Sequence, residues 1–248
     1  MKKKKSNGLR DTAWTFFYAI VIAIVVRTVA YEPFNIPSSS MVPTLLVGDY
    51  LFVSKFAYGY SRYSLPLSLD LIEERIFEGL PERGDVAVFK RPPENEVDFI
   101  KRLIGLPGDR IQMIDGQLLI NGEMVTRQRI DDYQIVGFGG IARPVPQYIE
   151  TLPNGVSYRI IEERGDKGPL DNTAEYIVPE GHYLAMGDNR DNSADGRGDS
   201  RTAWFVPVKN LVGPADFLFF STDGSARLWE IWRWPQATRF GRIFDDVN

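Results

Sequence analysis

The sequence predicts a mainly β protein that begins with one transmembrane helix, and three observations support this fold class. An almost uninterrupted apolar segment, Trp14 to Val26, follows a basic N-terminus. Most of the remaining chain carries short runs of β-branched and aromatic residues, which are separated by turn sequences rich in Gly, Asp and Pro. The 248 residues are 44% hydrophobic and 25% charged, which is typical of a chain that buries a globular core.

The apolar segment is predicted to anchor the chain in a membrane. As a helix, residues 14–31 span about 27 Å, close to the roughly 30 Å of hydrocarbon in a bilayer. Arg27 lies near the far end, from where its long side chain reaches the headgroups. The basic residues Lys2 to Lys5 are expected to stay in the cytoplasm. The chain after Tyr31 then lies on the outer, periplasmic or extracytoplasmic, side of the cell membrane.

A cleaved secretory signal is the alternative interpretation of this segment. Thr28-Val29-Ala30 loosely matches the small residues that precede a cleavage site. Arg27 is too close to that site for a typical signal peptide, so an uncleaved anchor is favoured.

The pattern beyond the anchor predicts β-strands joined by tight turns. Val86 to Phe89 and Phe99 to Ile104 are strand-like runs of β-branched and apolar residues. Ile111–Ile114 and Gln117–Ile120 are separated by Asp115-Gly116. This pattern predicts a hairpin, because Asp-Gly suits the positive φ values of a type I′ turn.

Two other segments have weaker patterns. Asp70 to Leu80 is predicted to form a short helix. Residues 123–178 are polar and rich in Gly and Pro, and they are predicted to belong to an inserted β-subdomain. The predicted organisation is a basic cytoplasmic tail (1–13), the anchor (14–31), a main β-domain (32–111 and 182–225), the inserted β-subdomain (112–181) and a C-terminal tail (226–248).

Charge and composition exclude several kinds of site. The net charge is −4 and basic residues are concentrated only at the N-terminus, which argues against nucleic acid as the main partner. The chain has no cysteine and one histidine, His182, so a thiolate nucleophile and a Cys- or His-rich metal site are excluded. A Ser-His-Asp triad would have to use His182. No metal and no cofactor are expected.

Three segments contain residues capable of chemistry, and the first is Ile36 to Leu45. It places Ser38, Ser39 and Ser40 between two prolines, which stiffen the backbone. A hydroxyl nucleophile benefits from this stiffness, because its oxygen and a neighbouring amide must keep fixed relative positions. A plain linker between anchor and domain explains the segment equally simply.

The second segment, Asp98 to Gly105, combines two cations with strand-like alternation. Alternation places Lys101 on the same face as Phe99 and Leu103, and Arg102 on the opposite face. On an apolar face, loss of water disfavours an ammonium group and lowers the pKa of a lysine towards neutrality, as a general base requires. Arginine stays charged. The alternative is that both cations reach solvent.

The third segment, Met186 to Arg201, is so polar that it is predicted to be a solvated loop with local ion pairs. Asp191, Ser193 and Asp195 match the first, third and fifth positions of an EF-hand calcium loop. The twelfth position is Thr202, which cannot supply a bidentate carboxylate, and no helices are predicted to flank the loop. This calcium hypothesis is therefore rejected.

Together, in one order and after an anchor, these segments resemble the type I signal peptidases, also called leader peptidases. The matching sequences include Pro37-Ser38-Ser39-Ser40-Met41 within residues 31–45, Gly48-Asp49, residues 83–86, Phe99-Ile100-Lys101-Arg102, residues 105–109, Gly187-Asp188-Asn189-Arg190-Asp191-Asn192-Ser193 and Phe205-Val206-Pro207. The middle region and the C-terminus do not match in detail.

The resemblance implies a membrane-anchored serine endopeptidase with an antiparallel β catalytic domain and a smaller inserted β-subdomain. Its partners would be the lipid bilayer and secretory preproteins, whose signal peptides it removes by cutting after small residues at −3 and −1. Ser40 would be the nucleophile and Lys101 the base of a Ser-Lys dyad. The Ser40 amide and Ser38 hydroxyl would form the oxyanion hole, and Ser193 would orient the lysine amine. The substrate pockets would be lined by Phe34, Ile36, Pro37, Met41, Leu45, Phe99 and Ile100.

The sequence departs from the family pattern at two points. Ser39 stands where the family usually has glycine, which reduces backbone freedom. The supporting ion pair of the family is displaced along the chain. Either Asp195 and Arg197 supply it, or a four-residue insertion shifts it to Asp199 and Arg201. The second assignment is favoured, because its distance from the next matching segment fits the family.

The C-terminal tail mixes aromatic side chains with cations. The residues concerned are Arg227, Trp229, Ile231, Trp232, Arg233, Trp234 and Arg239. Such a mixture suits a membrane surface, and ordinary packing explains it equally well.

Two alternative functions remain open. Another Ser-Lys membrane protease, such as a pilus-maturation peptidase, would carry the same dyad and differ in substrate. An anchored binding module without catalysis would keep the fold and tolerate the loss of Ser40.

Overall fold

The computed structural model describes residues 8–64, 75–77, 79–136, 141–199, 201–227 and 229–247. Within these residues the α-helices are α1 (Gly8–Val29) and α2 (Trp234–Ala237). The strands are β1 (Tyr31–Asn35), β2 (Asp49–Ser54), β3 (Val86–Lys90), β4 (Asp98–Gly105), β5 (Arg110–Ile114), β6 (Gln117–Ile120), β7 (Glu123–Met124), β8 (Thr126–Val136), β9 (Ala142–Thr151), β10 (Ser157–Ile161), β11 (Tyr176–Ile177), β12 (His182–Met186), β13 (Val206–Pro207) and β14 (Leu211–Ser221).

α1 is the helix predicted from the apolar N-terminal segment. Twenty of its residues form a stretch long and apolar enough to cross a membrane, and this stretch is not buried against the rest of the protein. The end of α1 is attached to the β-structure. Tyr60 donates a hydrogen bond to the Val29 carbonyl at 2.6 Å, and Glu32 pairs with Arg27 at 2.9 Å and with Lys55 at 2.7 Å.

The strands form three sheets. The largest has seven strands in the order β1-β2-β14-β3-β4-β12-β13. A four-stranded sheet has the order β11-β5-β6-β7, and a three-stranded sheet the order β10-β9-β8. All pairings within these sheets are antiparallel. The predicted fold class, mainly β and antiparallel after one apolar helix, is confirmed.

The predicted hairpin is present, because β5 pairs with β6 across Asp115 and Gly116, whose φ values are +47° and +72°. The helix predicted for residues 70–80 lies mostly outside the described residues. Ile76, which is described, forms an isolated antiparallel bridge with Tyr60 instead.

The central strands of the large sheet are buried on both faces. Ile104 and Met186 belong to a hydrophobic cluster that they share with the four-stranded sheet, whereas Leu103 and Ala185 belong to a second cluster. The start predicted for the inserted subdomain, residue 112, lies inside β5. The domain boundaries remain a prediction.

The C-terminal tail returns to the seven-stranded sheet. Asp246 forms an isolated bridge with Phe217, Thr238 forms one with Thr222, and Val247 is buried in the core. The exposed apolar side chains at the start of the tail are Trp229, Ile231, Trp232 and Trp234.

Candidate active site

The three serines lie on the loop between β1 and β2, at the edge of the seven-stranded sheet. This loop packs against the hydrophobic core, in which the side chains of Ile36, Met41 and Leu45 are buried. Ser40 is consequently positioned on a packed support rather than on the free linker that was the alternative.

The C-terminal tail also holds this loop, which the sequence did not indicate. Arg242 Nη2 donates to the Thr44 carbonyl at 2.9 Å and to the Asp49 carboxylate at 2.6 Å. Asp49 in turn accepts the Leu46 amide at 2.7 Å. The tail therefore restrains the backbone that follows Ser40.

Lys101 and Ser40, from segments 61 residues apart, meet in the interior. Lys101 Nζ lies 2.6 Å from Ser40 Oγ and donates to the Ile100 carbonyl at 3.0 Å. Lys101 is 4% exposed and Ser40 is 7% exposed. A hydroxyl and an amine at this distance share a hydrogen bond, and the neutral amine can accept the hydroxyl proton. This hydrogen bond is a suitable starting geometry for activation of the serine.

Burial lowers the pKa of Lys101 to about 8, although the carboxylates of Asp195 and Asp188 oppose part of the shift. An amine with this pKa is neutral in about a tenth of the molecules at pH 7 and in about half of them at pH 8. The alternative, in which both cations of β4 reach solvent, is wrong. Lys101 and Arg102 are both buried, and Arg102 is 1% exposed.

The hydroxyls of Ser38 and Ser39 have different surroundings. Ser38 is exposed, and its Oγ lies 3.4 Å from Ser40 Oγ. Ser39 Oγ accepts a hydrogen bond from Asn192 Nδ2 at 3.0 Å. The Ser40 carbonyl accepts the Asn189 amide at 3.1 Å. Ser39, the residue that replaces the usual glycine, therefore joins the serine loop to the loop after β12.

Ser193 lies near the dyad, but it does not form the predicted hydrogen bond with Lys101. Its Oγ is buried and lies beside the Asp195 carboxylate, where it contributes to the lowered pKa of Asp195. Gly187 separates the two serines. A Cβ at Gly187 would lie 2.3 Å from Ser193 Oγ and 2.5 Å from the Ser40 carbonyl oxygen, so a larger residue does not fit there.

An open groove of about 510 Å³ lies beside Ser40 and Lys101. The predicted lining residues found there are Phe34, Ile36, Pro37, Phe99 and Ile100. Met41 and Leu45 are a correction, because both are 0% exposed in the core beneath the loop. The groove is also lined by residues that the sequence did not indicate, namely Asn35, Val88, Val97, Asp98, Asn192 and Ala194.

The loop after β12 is not the solvated loop that its polarity predicted. Asp188, Arg190, Asp195 and Arg197 are each at most 1% exposed. The buried salt bridges of this loop are Arg102–Asp188 (2.8 Å), Arg190–Glu150 (2.5 Å) and Arg197–Asp195 (2.9 Å). Opposite charges compensate one another here, which makes burial of so many ionic groups tolerable.

Asp188 joins the serine loop to the lysine strand. Its carboxylate accepts Arg102 Nε at 3.0 Å, Arg102 Nη2 at 2.8 Å and the Thr44 hydroxyl at 2.5 Å. Thr44 lies four residues after Ser40, and Arg102 follows Lys101 directly. The Asp188 side chain therefore restrains the relative position of the two reactive groups.

Asp195 and Arg197 form a buried ion pair, whereas the favoured pair Asp199–Arg201 is not formed among the described residues. Arg197 Nε and Nη2 each donate to the Asp195 carboxylate at 2.9 Å. Asp199 and Arg201 are both exposed, and the Asp199 carboxylate accepts the backbone amides of Arg201 and Thr202. Water solvates these exposed charges, so no ion pair is needed to compensate burial.

We expect Asp195→Asn to lower the free energy of unfolding by about 3–5 kcal/mol, because it leaves the Arg197 guanidinium buried without an opposite charge. Asp199→Asn is the matched control and is expected to leave the free energy of unfolding nearly unchanged, because the Asn side-chain oxygen can still accept the Arg201 and Thr202 amides. Guanidinium unfolding of the detergent-solubilised chain, followed by tryptophan fluorescence, measures both. Equal effects of the two substitutions would contradict the assignment.

His182 lies at the start of β12, where its Nδ1 is 2.9 Å from the Glu180 carbonyl oxygen. Among the described contacts, none joins His182 to Ser40 or Lys101. The reactive groups that the structure brings together are therefore a serine hydroxyl and a lysine amine.

Comparison with known proteins identifies the family to which this chain belongs. Residues 9–220 match the family model described as signal peptidase, peptidase S26. Signal peptidase I of Rickettsia typhi is 39% identical over 260 residues, covering 98% of this chain and 96% of the relative. Signal peptidase I of Rickettsia prowazekii is 39% identical over 249 residues, covering 94% and 92%. A solved signal peptidase I from Enterococcus faecalis is 26% identical and covers 54% of this chain and 96% of its own, with a TM-score of 0.31.

The protein is accordingly a serine endopeptidase, which is a hydrolase. The chain belongs to the signal peptidase family, peptidase S26.

Proposed function

We propose that this chain is a membrane-anchored signal peptidase that removes N-terminal signal peptides from exported preproteins with a Ser40–Lys101 dyad. The observation that carries the proposal is the 2.6 Å separation of Lys101 Nζ from Ser40 Oγ beside an open groove, in a member of the signal peptidase family.

In the proposed mechanism, neutral Lys101 accepts the Ser40 proton as Oγ attacks the scissile carbonyl carbon. The Ser40 amide and the Ser38 hydroxyl stabilise the resulting oxyanion. The tetrahedral intermediate collapses, and the Lys101 ammonium donates its proton to the departing amine of the mature protein. The acyl group remains on Ser40 as an ester. Lys101, neutral again, then deprotonates the water that hydrolyses this ester.

The groove supports binding of the signal peptide as an extended segment. β4 pairs with β3 from residue 98 onwards, whereas β12 pairs with β4 only from Arg102 onwards. Among the described residues, no strand pairs with Asp98 to Ile100 on the other side, and this edge suits addition of an extended peptide. Side chains at −1 and −3 of such a peptide point in the same direction, and the side chain at −2 points away. The −1 and −3 side chains would thus face the groove together, where the proposed specificity admits small residues.

Membrane anchoring is proposed through α1, with the N-terminus in the cytoplasm and the catalytic domain on the outer side of the cell membrane. The length and apolar composition of α1 and the basic run before it support this topology. Trp229 and Trp232 are 67% and 71% exposed, and indole side chains favour the membrane interface. The tail is proposed to touch the membrane surface through them.

We expect the full-length chain in detergent to cut a preprotein that carries Ala at −3 and −1 directly after the −1 residue. Phe in place of Ala at −1 is expected to lower kcat/KM at least about a hundredfold, because the proposed specificity admits only a small side chain at −1. Phe at −2 is the control and is expected to change kcat/KM little. Initial rates and mass spectrometry of the product N-terminus measure both effects.

Equal rates for the −1 and −2 substitutions would contradict the proposed specificity. Cleavage of a pilin-type precursor in preference to the secretory preprotein would support the pilus-maturation alternative instead.

A further inference from the structure

Three carboxylates converge outside the groove, and we call Glu162, Asp171 and Asp191 the carboxylate cluster. Each offers an oxygen that lies within 4.8 Å of the oxygens of the other two. Glu162 directly follows β10, Asp171 lies in the loop after it, and Asp191 lies in the loop after β12. None of the three lines the groove beside Ser40.

Glu162 is buried without a hydrogen-bond donor. Its side chain is 0% exposed, and neither carboxylate oxygen has a hydrogen-bond partner among the described residues. Arg127 Nη1 lies 3.9 Å from Glu162 Oε1, beyond hydrogen-bond distance, and it donates to the Gly116 carbonyl at 2.8 Å. Arg127, Arg190 and Arg197 supply positive charge near Glu162, but a buried carboxylate without a hydrogen bond remains unfavourable unless a bound cation or a proton satisfies its oxygens.

The other two carboxylates do not provide the hydrogen-bond donor that Glu162 lacks. Asp191 Oδ2 accepts the Arg164 amide at 2.6 Å, and Asp171 Oδ2 accepts the Gly168 amide at 2.5 Å. Ionised carboxylates accept hydrogen bonds and cannot donate them. The cluster therefore directs several acceptor oxygens to one small volume.

We propose that the carboxylate cluster binds a calcium ion. A ligand set made only of oxygens selects a hard cation. Ca–O distances of about 2.3–2.6 Å allow opposite ligands to lie about 5 Å apart, whereas the shorter Mg–O distances allow only about 4.2 Å. Magnesium also retains several waters and uses one or two carboxylates in most sites, so three converging carboxylates suit calcium better.

A bound ion would connect the region around β10 to the loop beside Ser40. Ile161, next to Glu162, forms a parallel bridge with Asn189, whose amide donates to the Ser40 carbonyl. Asp191 is followed by Asn192, which donates to Ser39 Oγ. Calcium would thus stabilise the loop that flanks the serines.

Titration of the full chain in detergent, after treatment with EDTA and removal of the chelator, tests this site. Isothermal calorimetry with CaCl₂ is expected to show one ion per chain, and MgCl₂ is expected to bind at least tenfold more weakly. At a calcium concentration about a hundred times Kd, Tm is expected to rise by about 5–10 °C. The test reads binding and stability, so it does not depend on the proposed function.

Glu162→Gln keeps the shape of the side chain and removes its charge, and it is expected to weaken calcium binding at least tenfold. Asp131→Asn removes an exposed carboxylate outside the cluster and is expected to keep the affinity of the unaltered chain. Circular dichroism checks folding. If Glu162→Gln does not fold, Asp191→Asn, at a partly exposed position, provides the same comparison.

Burial raises the pKa of Glu162 to about 9, so protonation is the other way to neutralise this side chain. Absence of saturable calcium binding at millimolar concentration would overturn the proposal in favour of a protonated carboxyl group. Unchanged calcium affinity in Glu162→Gln would overturn it as well.

Discussion

Replacement of Ser40 by alanine is expected to reduce preprotein cleavage to the background rate. The substitution removes the hydroxyl that lies 2.6 Å from Lys101 Nζ, so that no acyl-enzyme can form. Loss of the nucleophile in a serine protease lowers kcat by about 10⁶. Alanine occupies no more space than serine, so the fold is expected to persist. Initial cleavage rates of one preprotein, with circular dichroism of each variant, measure the effect.

The adjacent serines provide internal controls for this experiment. Ser38→Ala is expected to lower kcat by about 10²–10³, the cost of one oxyanion donor. Ser39→Ala removes the acceptor for Asn192 Nδ2 and leaves the dyad intact, so a loss of about tenfold or less is expected. A Ser40→Ala variant that still cleaves the preprotein would refute the dyad. An unaltered chain that binds preproteins without cutting them would support the binding-module alternative.

Lys101→Arg is also expected to cause a large loss of cleavage, although the substitution preserves a positive charge. Arginine stays protonated at every pH at which the protein is folded, so it cannot accept the Ser40 proton. General-base catalysis contributes about 10²–10⁴ to one step, and Lys101 is proposed to act in both acylation and deacylation. A loss of about 10²–10⁴ in kcat/KM, which reports the acylation step, is therefore expected. Lys55→Arg is the matched control. Lys55 is also buried, and an arginine at this position can form a salt bridge with Glu32.

The pH profile distinguishes loss of the base from general damage to the site. Protonated Lys101 is inactive in the proposed mechanism, so kcat/KM of the unaltered chain falls as pH decreases. With a pKa of about 8, we expect a tenfold rise per pH unit below pH 8 and a plateau above it. The residual activity of Lys101→Arg is expected to lack this rise. A plateau that extends below pH 6 in the unaltered chain would indicate a different base.

Features that depend on neighbouring residues could be predicted from the sequence. The apolar run of α1 is continuous, and the β5–β6 hairpin follows from Asp115-Gly116 because few other residue pairs accept two positive φ values. β3 and β4 could likewise be predicted from their runs of β-branched and apolar residues. Each of these elements is determined over a few residues, so local patterns are sufficient.

Features that depend on distant partners could not be predicted in this way. Arg190 can be buried because it pairs with Glu150, 40 residues away in the sequence. Asp188 can be buried because it pairs with Arg102, 86 residues away. A polar loop with these partners folds into the interior, whereas the same composition without them stays in water. Local spacing also favoured the wrong ion pair, because it does not show which aspartate is buried.

By itself, the sequence determined the family, the apolar N-terminal helix and the candidate pair Ser40 and Lys101, because these depend on the identity and order of residues. Only the tertiary structure decided that the two groups lie 2.6 Å apart, that Met41 and Leu45 face the core, and that Asp195 is the buried partner of Arg197. The physical reason is that water is excluded from a side chain by segments far away in the chain. Exclusion of water lowers the pKa of Lys101, and no local pattern contains that information.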